Sequence, residues 1–260
     1  MKKSTNQERV ALVTGAASRL GAAMAQALAC AGWAVVIHHR GGADEARTLA
    51  EGIVAGGGRA AVLKADLAIR RQRATLVEKA SALFGPLTLL VNNASSFEPD
   101  SVADLDEQLW DRHLAIHLEA PAFLARDFAA QLPARVQGNI VNVIDERVLH
   151  LTPNYFSYTL SKAALWTMTQ TMAQSLAPRV RVNAIGPGPT LKEKGQSQAA
   201  FEKSQAHAPL GYAANAGDVC DALLYLLAAR SVTGTMIPVD GGKHLDFPAT
   251  RGPSPRKPAK

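Results

Sequence analysis

Residues 10–21 read VALVTGAASRLG: a short apolar run, a turn that begins and ends near glycine, and the opening of a helical pattern. An unbroken apolar run bounded by a turn fits a strand buried on both faces. From Arg19 to Ala31 the apolar residues recur at helical spacing, so strand gives way to helix within a few residues. The alternation then repeats. Strands are expected at WAVVIHH (33–39), RAAVLKAD (59–66), LTLLVNNA (87–94), NIVNVID (139–145), VRVNAIG (180–186) and MIPVDGG (236–242). Helices are expected near 43–55, 70–84, 105–132, from the Tyr158 region to about 177, and 217–228. This pattern predicts an α/β fold: a single doubly wound (Rossmann-type) parallel sheet of about seven strands, with helices on both faces. No internal linker or further repeat interrupts it, so one domain is expected over residues 9–248.

Composition agrees with one filled core, since 47% of the 260 residues are hydrophobic and only 5% aromatic. The net charge of +6 is concentrated in the tail 249–260, where Arg251, Arg256, Lys257 and Lys260 meet no acid. A domain that reads nucleic acid carries its basic charge in the folded body. Nucleic acid is therefore not expected as a partner, and the proline-rich tail, like residues 1–8, is expected to be disordered. No apolar run reaches membrane-spanning length, and MKKSTNQERV leads into the first strand without an apolar leader core. A cytoplasmic protein with no membrane partner is the expectation. Cys30 and Cys220 lack metal-ligand spacing and fall in helical patterns, where they read as small buried hydrophobes. No metal is expected.

Glycine in the turn after a first strand lets backbone amides approach a pyrophosphate, and the following helix offers the positive end of its dipole. Gly15 and Gly21 would serve a tight connection equally well, but this position in a doubly wound sheet favours a dinucleotide site. The end of the second strand selects between dinucleotides. An NAD site usually carries an acid there for the adenosine ribose. Here the strand ends His38-His39-Arg40, and the turn carries Arg19. A guanidinium grips a phosphate that a carboxylate would repel, so NADPH is the expected cofactor, held by Arg40 with help from Arg19 and His38 or His39.

Farther along, NYFSYTLSKAAL (154–165) sets Tyr158 and Lys162 four residues apart, one turn along a single helix face. Free tyrosine titrates near 10, too high for a good acid at neutral pH, and a nearby ammonium favours the phenolate. A tyrosine and a lysine on any surface helix show the same spacing. The acidic pair Asp145–Glu146 a short loop upstream, the glycine turn and the basic strand end together favour chemistry.

In order and at family spacing, TG-x-x-x-x-x-G at 14–21, NNA at 92–94, Y-x-x-x-K, PG at 187–188 and VDGG at 239–242 resemble the short-chain dehydrogenase/reductase family. The resemblance implies that Gly15, Ser18, Leu20 and Gly21 line the cofactor phosphates with Arg19. It implies that Asp66 and Leu67 hold the adenine, that Asn93 and Ala94 line the cofactor, and that Pro187, Gly188 and Thr190 bracket the nicotinamide. Tyr158 would be the proton donor, with Lys162 holding the nicotinamide ribose and lowering the tyrosine pKa.

Three positions depart from the family pattern. Arg19 stands where the middle glycine of the turn is usual, Asp145 replaces the serine expected about thirteen residues before the tyrosine, and His117 replaces the asparagine of the fourth helix. An ionised aspartate cannot donate to a carbonyl oxygen that gains charge as hydride arrives, and would repel it. If Asp145 instead faced solvent, Glu146 or the following loop would have to fill the serine's role. Arg19, the basic strand end, NNASSF (92–97) and the Asp–Tyr–Lys set resemble the pteridine reductases and similar dihydromonapterin reductases. That branch implies a pterin stacked between nicotinamide and Phe97, with Ser95 and Arg19 at its polar edge, Asp145 and Tyr158 beside it, and a dimer or tetramer. Phe97 would serve equally as a loop aromatic covering the core edge. A general carbonyl or 3-oxoacyl reductase is the alternative. A non-catalytic cofactor sensor is a third class, disfavoured by the intact Tyr158–Lys162 pair. The polar stretch between Thr190 and Leu210 sits where the family carries its substrate lid.

Overall fold

Strand residues divide alternately between two apolar layers, which is why the sheet needs helices on both sides. The computed structural model describes residues 9–245 apart from 193, 194, 196, 207 and 213. The expected disorder of 1–8 and of 249–260 falls outside the described residues. The strands are β1 (Val10–Val13), β2 (Ala34–His39), β3 (Arg59–Lys64), β4 (Leu89–Asn92), β5 (Gly138–Val143), β6 (Val180–Pro187) and β7 (Met236–Val239). All are parallel, in the order β3-β2-β1-β4-β5-β6-β7. The order reverses between β1 and β4, and in such sheets ligands bind outside the carboxyl ends of the strands at that point.

Helices α1 (Arg19–Cys30), α2 (Ala43–Ala55) and α9 (Ala216–Ala228) cover one face. There Met24, Leu28, Ile53 and Leu223 pack with Ala11, Val13, Val35 and Val91. On the other face, α4 (Leu76–Phe84), α6 (Ala120–Gln131) and α7 (Phe156–Leu176) supply Leu76, Leu124, Phe128 and Ala173 against Val10, Leu12, Val36 and Ile140. The remaining helices are α3 (Arg70–Arg73), α5 (Glu107–Leu114) and α8 (Gln198–Ala206).

Several elements differ from the sequence expectation. The helix expected over 70–84 is broken into α3 and α4. Thr75 donates its hydroxyl to the Gln72 carbonyl, a local bond that competes with continuous helix. Between α5 and α6 the chain widens into a π-helical turn over Ala115–Glu119. Pro121, in the first turn of α6, has no N–H to give the His117 carbonyl, so the ordinary helical bond there cannot form. The polar stretch between Thr190 and Leu210 contains α8. Cys220 is buried as expected, but Cys30 is exposed, because it ends α1 on the helix's outer side. Among the described residues no helix is long and apolar enough to cross a membrane.

Phe128 is fully buried beside Gly138, where an added Cβ would lie 2.8 Å from its ring. Backbone and ring are therefore fitted to each other without slack. Phe128→Ala is expected to cost about 3–5 kcal/mol of unfolding free energy, the range for emptying a packed aromatic site. Urea denaturation measures this; a loss below about 1 kcal/mol would contradict the packing described.

Candidate active site

The turn after β1 is tied to β4 by side chains as well as backbone. The Thr14 hydroxyl accepts from the amides of Asn93 (2.9 Å) and Ala94 (3.0 Å), while Asn93 Nδ2 donates to the carbonyls of Thr14 and Gly15. Gly15 has φ +63° and lies so close to Ala94 that an added Cβ would sit 2.8 Å from its Cα. Ser18, before α1, makes no side-chain cap bond, so the first amides of the helix face the cleft without an internal acceptor. At the far wall a Cβ on Gly188 would meet Asp240 at 2.7 Å. Between these walls runs a cleft of about 940 Å³. Every expected site residue except Tyr158 lines it. Tyr158 is buried and joined to the cleft wall through Asp145.

Two of the expected cations act differently. His38 is buried, accepts from the Gly15 amide at Nδ1 (3.1 Å), and places Nε2 3.1 Å from the Ala65 carbonyl. Burial lowers its pKa to about 4, so at neutral pH it is an uncharged strut of the turn rather than a phosphate cation. His39 is buried, with Nδ1 2.9 Å from the Gly41 carbonyl. Arg40 remains exposed on the cleft rim. Arg19 has φ +56° and spans the cleft to the loop after β6, donating to the carbonyls of Leu191 (3.2 Å) and Lys192 (2.9 Å). In this state it ties the turn after β1 to the loop after β6.

Asp145 faces inward. Tyr158 donates its hydroxyl to Asp145 Oδ2 at 2.8 Å, and Asp145 Oδ1 accepts from the Arg147 amide at 2.9 Å. The Arg147 guanidinium lies 3.3–3.4 Å from both carboxylate oxygens. Glu146 points elsewhere: it is buried and accepts from Lys243 at 2.7 Å, so it does not fill the serine's role. Burial, then the charge and hydrogen bond of Asp145, raise the Tyr158 pKa well above 10. Lys162, expected to lower it, makes no hydrogen bond to the Tyr158 oxygen. Lys162 Nζ donates to the Val143 carbonyl at 2.8 Å, and its own pKa falls to about 8 because it is buried.

Phe97 is not a lone plate. It stacks on Tyr155 with centroids 4.4 Å apart and 13° between planes, and meets Tyr158 edge-on at 4.8 Å. The Arg147 guanidinium carbon lies about 5 Å from both the Phe97 and Tyr155 rings. Tyr155 adopts φ +61°, costly for a bulky residue, which marks this corner as constrained by its surroundings. His117 lies inside the π turn and is buried against α7. Its Nδ1 lies 2.8 Å from Ser161 Oγ, and its Nε2 lies 2.9 Å from Ser95 Oγ. One turn earlier His113 pairs with Ser157 at 2.7 Å. Arg147, Tyr155, His113 and the two serines were missed. The i, i+4 spacing of both His113/His117 and Ser157/Ser161 was the signal available in the sequence.

A family model described as enoyl-(acyl carrier protein) reductase matches residues 15–244. The chain belongs to the short-chain dehydrogenase/reductase family and is an enzyme of the oxidoreductase class. Within that family, FolM alternative dihydrofolate reductase 1 from Brucella canis, solved in complex with NADP, is 46% identical. It superposes with a TM-score of 0.88 over 93% of this chain and 96% of that one. The angucycline C-6 ketoreductase LanV, with bound NADP, gives 0.85 at 30% identity over 92% and 96%. Cis-4-hydroxycyclohexanecarboxylate dehydrogenase of Sinomonas cyclohexanicum is 36% identical over 243 residues, which is 90% of this chain and 96% of that one.

With His38 buried and neutral, Arg40 on the cleft rim is the residue expected to discriminate between dinucleotides. NADPH should exceed NADH by at least about tenfold in kcat/KM, about 1.4 kcal/mol for a charge-assisted phosphate contact. Arg40→Asp should shrink or reverse that ratio in steady-state assays. Equal rates with both cofactors in the parent enzyme would contradict it.

Proposed function

We propose that this protein uses NADPH to reduce a 7,8-dihydropterin to its tetrahydro form. The observation that carries the reading is the hydrogen bond from Tyr158 to the carboxylate of Asp145. The cleft fits NADPH on its own residues: Gly15, with φ +63°, lets the turn after β1 pass close against Ala94, and the start of α1 offers uncapped amides. Arg40 stands at the rim for the 2′-phosphate and Lys162 lines the inner end. When bound, the dihydronicotinamide supplies the hydride.

Asp145 decides which acceptor tolerates that hydride. A ketone would develop an oxyanion beside a carboxylate, a repulsion worth several kcal/mol where water is scarce. A ring carbon–nitrogen double bond takes the proton on nitrogen and leaves no bare oxyanion. Burial and Asp145 keep the Tyr158 hydroxyl protonated, so it is held as the acid. Arg147 partly balances the carboxylate and lets it stay beside the site without a bound cation from solvent. The stacked Phe97–Tyr155 pair provides the flat apolar surface, and offset stacking adds about 0.5–1.5 kcal/mol beyond area burial. Arg19 reaches a substrate only after it leaves the Leu191 and Lys192 carbonyls. The 46% identity to a structure described as an alternative dihydrofolate reductase supports the same substrate class. Dihydrofolate itself should be the weaker substrate, because its aminobenzoyl-glutamate tail must leave the pocket.

The test is a panel of dihydropterins, dihydrofolate, simple ketones and 3-oxoacyl thioesters, followed by NADPH oxidation. Dihydropterins should give the highest kcat/KM. Tyr158→Phe should lose about 10²-fold in kcat with the fold intact. Phe97→Ala should raise KM for the pterin and leave NADPH binding nearly unchanged. Ready turnover of ketones or oxoacyl thioesters with none of dihydropterins would replace this reading by a general carbonyl reductase.

A further inference from the structure

The loop from Asn93 to Ser101 puts Ser95, Phe97 and Pro99 on the cleft wall, yet it contains no helix or strand. Its shape therefore depends on tethers. At its start the Thr14 hydroxyl accepts from the amides of Asn93 and Ala94. Midway the Ser96 amide donates to His117 Nε2 at 3.1 Å. The last tether is Asp100, which is buried. Both of its carboxylate oxygens accept from the Ser157 amide at 3.1 Å, and Oδ2 also accepts the Ser157 hydroxyl proton. Its main-chain carbonyl accepts from the Phe156 amide at 3.2 Å.

Those two amides open α7. The helix begins without a cap of its own: Tyr155, at the cap position, makes no side-chain cap bond, and the first turn holds no acid. A bare helix start leaves amides unpaired and carries partial positive charge. The oxygen that meets them is usually that of the cap residue itself. Here it comes from a residue 57 positions away. Ser157 spends its hydroxyl proton on Asp100, so its oxygen can only accept, and His113 Nδ1, 2.7 Å away, is the donor. Asp100, Ser157 and His113 thus join the cleft loop, α7 and α5 in one buried chain.

The opening turn of α7 brings Tyr155 and Tyr158, and Phe97 stacks on the first and meets the second edge-on. One turn further the helix is tied separately, by Ser161 to His117 and by Lys162 to the Val143 carbonyl. Loss of the Asp100 tether would therefore loosen the Phe97 loop and the opening turn but leave the Lys162 turn in place. We propose that Asp100 is a positioning residue of the reaction: from the loop that carries Phe97, its carboxylate caps the helix that carries Tyr158, and so fixes the stacking ring and the proton donor relative to each other. Misplacing a reacting group by about 1 Å can cost about 10²-fold in rate. A tether that does not itself line the cleft can thus govern both substrate binding and turnover. The proposal rests on Tyr158 and Phe97 serving the reaction as described above.

The first arm of the test needs no substrate. In the parent the Ser157 amide should be protected from hydrogen exchange, and Asp100→Ala should speed its exchange at least about tenfold while amides beyond Leu165 keep their protection. A Ser157 amide that exchanges in the parent as fast as an unstructured one would overturn the proposal. The second arm uses whichever substrate the parent enzyme turns over with NADPH. Asp100→Ala should lower kcat about tenfold or more and raise the substrate KM about tenfold, with KM for NADPH unchanged. In a Phe97→Ala background it should raise the substrate KM no further, because the ring it positions is gone. Asp100→Asn should recover most of both losses, since asparagine caps a helix about as well as aspartate. Should Asp100→Ala not fold, Asp100→Ser takes its place, because it stays polar but is too short to reach the Ser157 amide. Parent-like kcat and KM in the folded variant, a rise of NADPH KM as large as that of the substrate, or a further rise in the Phe97→Ala background would sink this proposal alone when Tyr158→Phe is inactive. Full activity of Tyr158→Phe would remove the reading beneath it as well.

Discussion

The hydrogen bond between Tyr158 and Asp145 is the constraint on which the rest of the site depends. A buried phenol beside a carboxylate is a poor place to create negative charge, and the surroundings are arranged to manage that. Arg147 closes on both oxygens of Asp145, which leaves Oδ2 shared with the tyrosine. Lys162 is turned onto the Val143 carbonyl one helical turn away, where it supports the site without bonding the tyrosine oxygen. The stack of Phe97 on Tyr155 packs against the Arg147 guanidinium, so the Tyr158–Asp145 pair and the flat apolar surface are joined by one side chain.

That arrangement is held by helix-to-helix polar pairs rather than by the sheet alone. Asp100 accepts from the Ser157 amide and hydroxyl at the start of α7, and His113 adds its ring to the same serine. One turn on, His117 and Ser161 repeat the contact. Each pair buries polar atoms that would be costly without a partner, which makes the rotation of α7 about its axis hard to change. Tyr158, lying between the two serines in sequence, inherits its direction from them. The π turn at Ala115–Glu119, made necessary by Pro121, sets His117 where it meets both α7 and the Ser95 loop.

Much of this was legible in the sequence, for physical reasons that differ by element. Unbroken apolar strands and βα alternation predict two-sided burial, and the seven parallel strands follow. Asp145 in place of a serine stands out because its chemistry conflicts with carbonyl reduction, and the structure does turn it toward Tyr158. What the sequence hid depends on burial and long-range contact. His38 looks like a cation until both ring nitrogens are seen to be engaged and buried. Arg19 reads as a phosphate ligand, and the sequence gives no sign that its guanidinium meets carbonyls 172 and 173 residues away. Lys162 looks like the group that tunes Tyr158, but burial and Asp145 dominate that oxygen. Spacing along a helix identifies which residues share a face; it does not say which neighbour lies closest to the reacting atom.

The most direct test of the central claim is to return Asp145 to the family's serine and measure the ratio of kcat/KM for a dihydropterin to that for a ketone. If the carboxylate is what excludes a developing oxyanion, Asp145→Ser should shift that ratio toward the ketone by at least about tenfold, about 1.4 kcal/mol of differential stabilisation. A ratio unchanged from the parent, in a folded variant that still binds NADPH, would contradict the account.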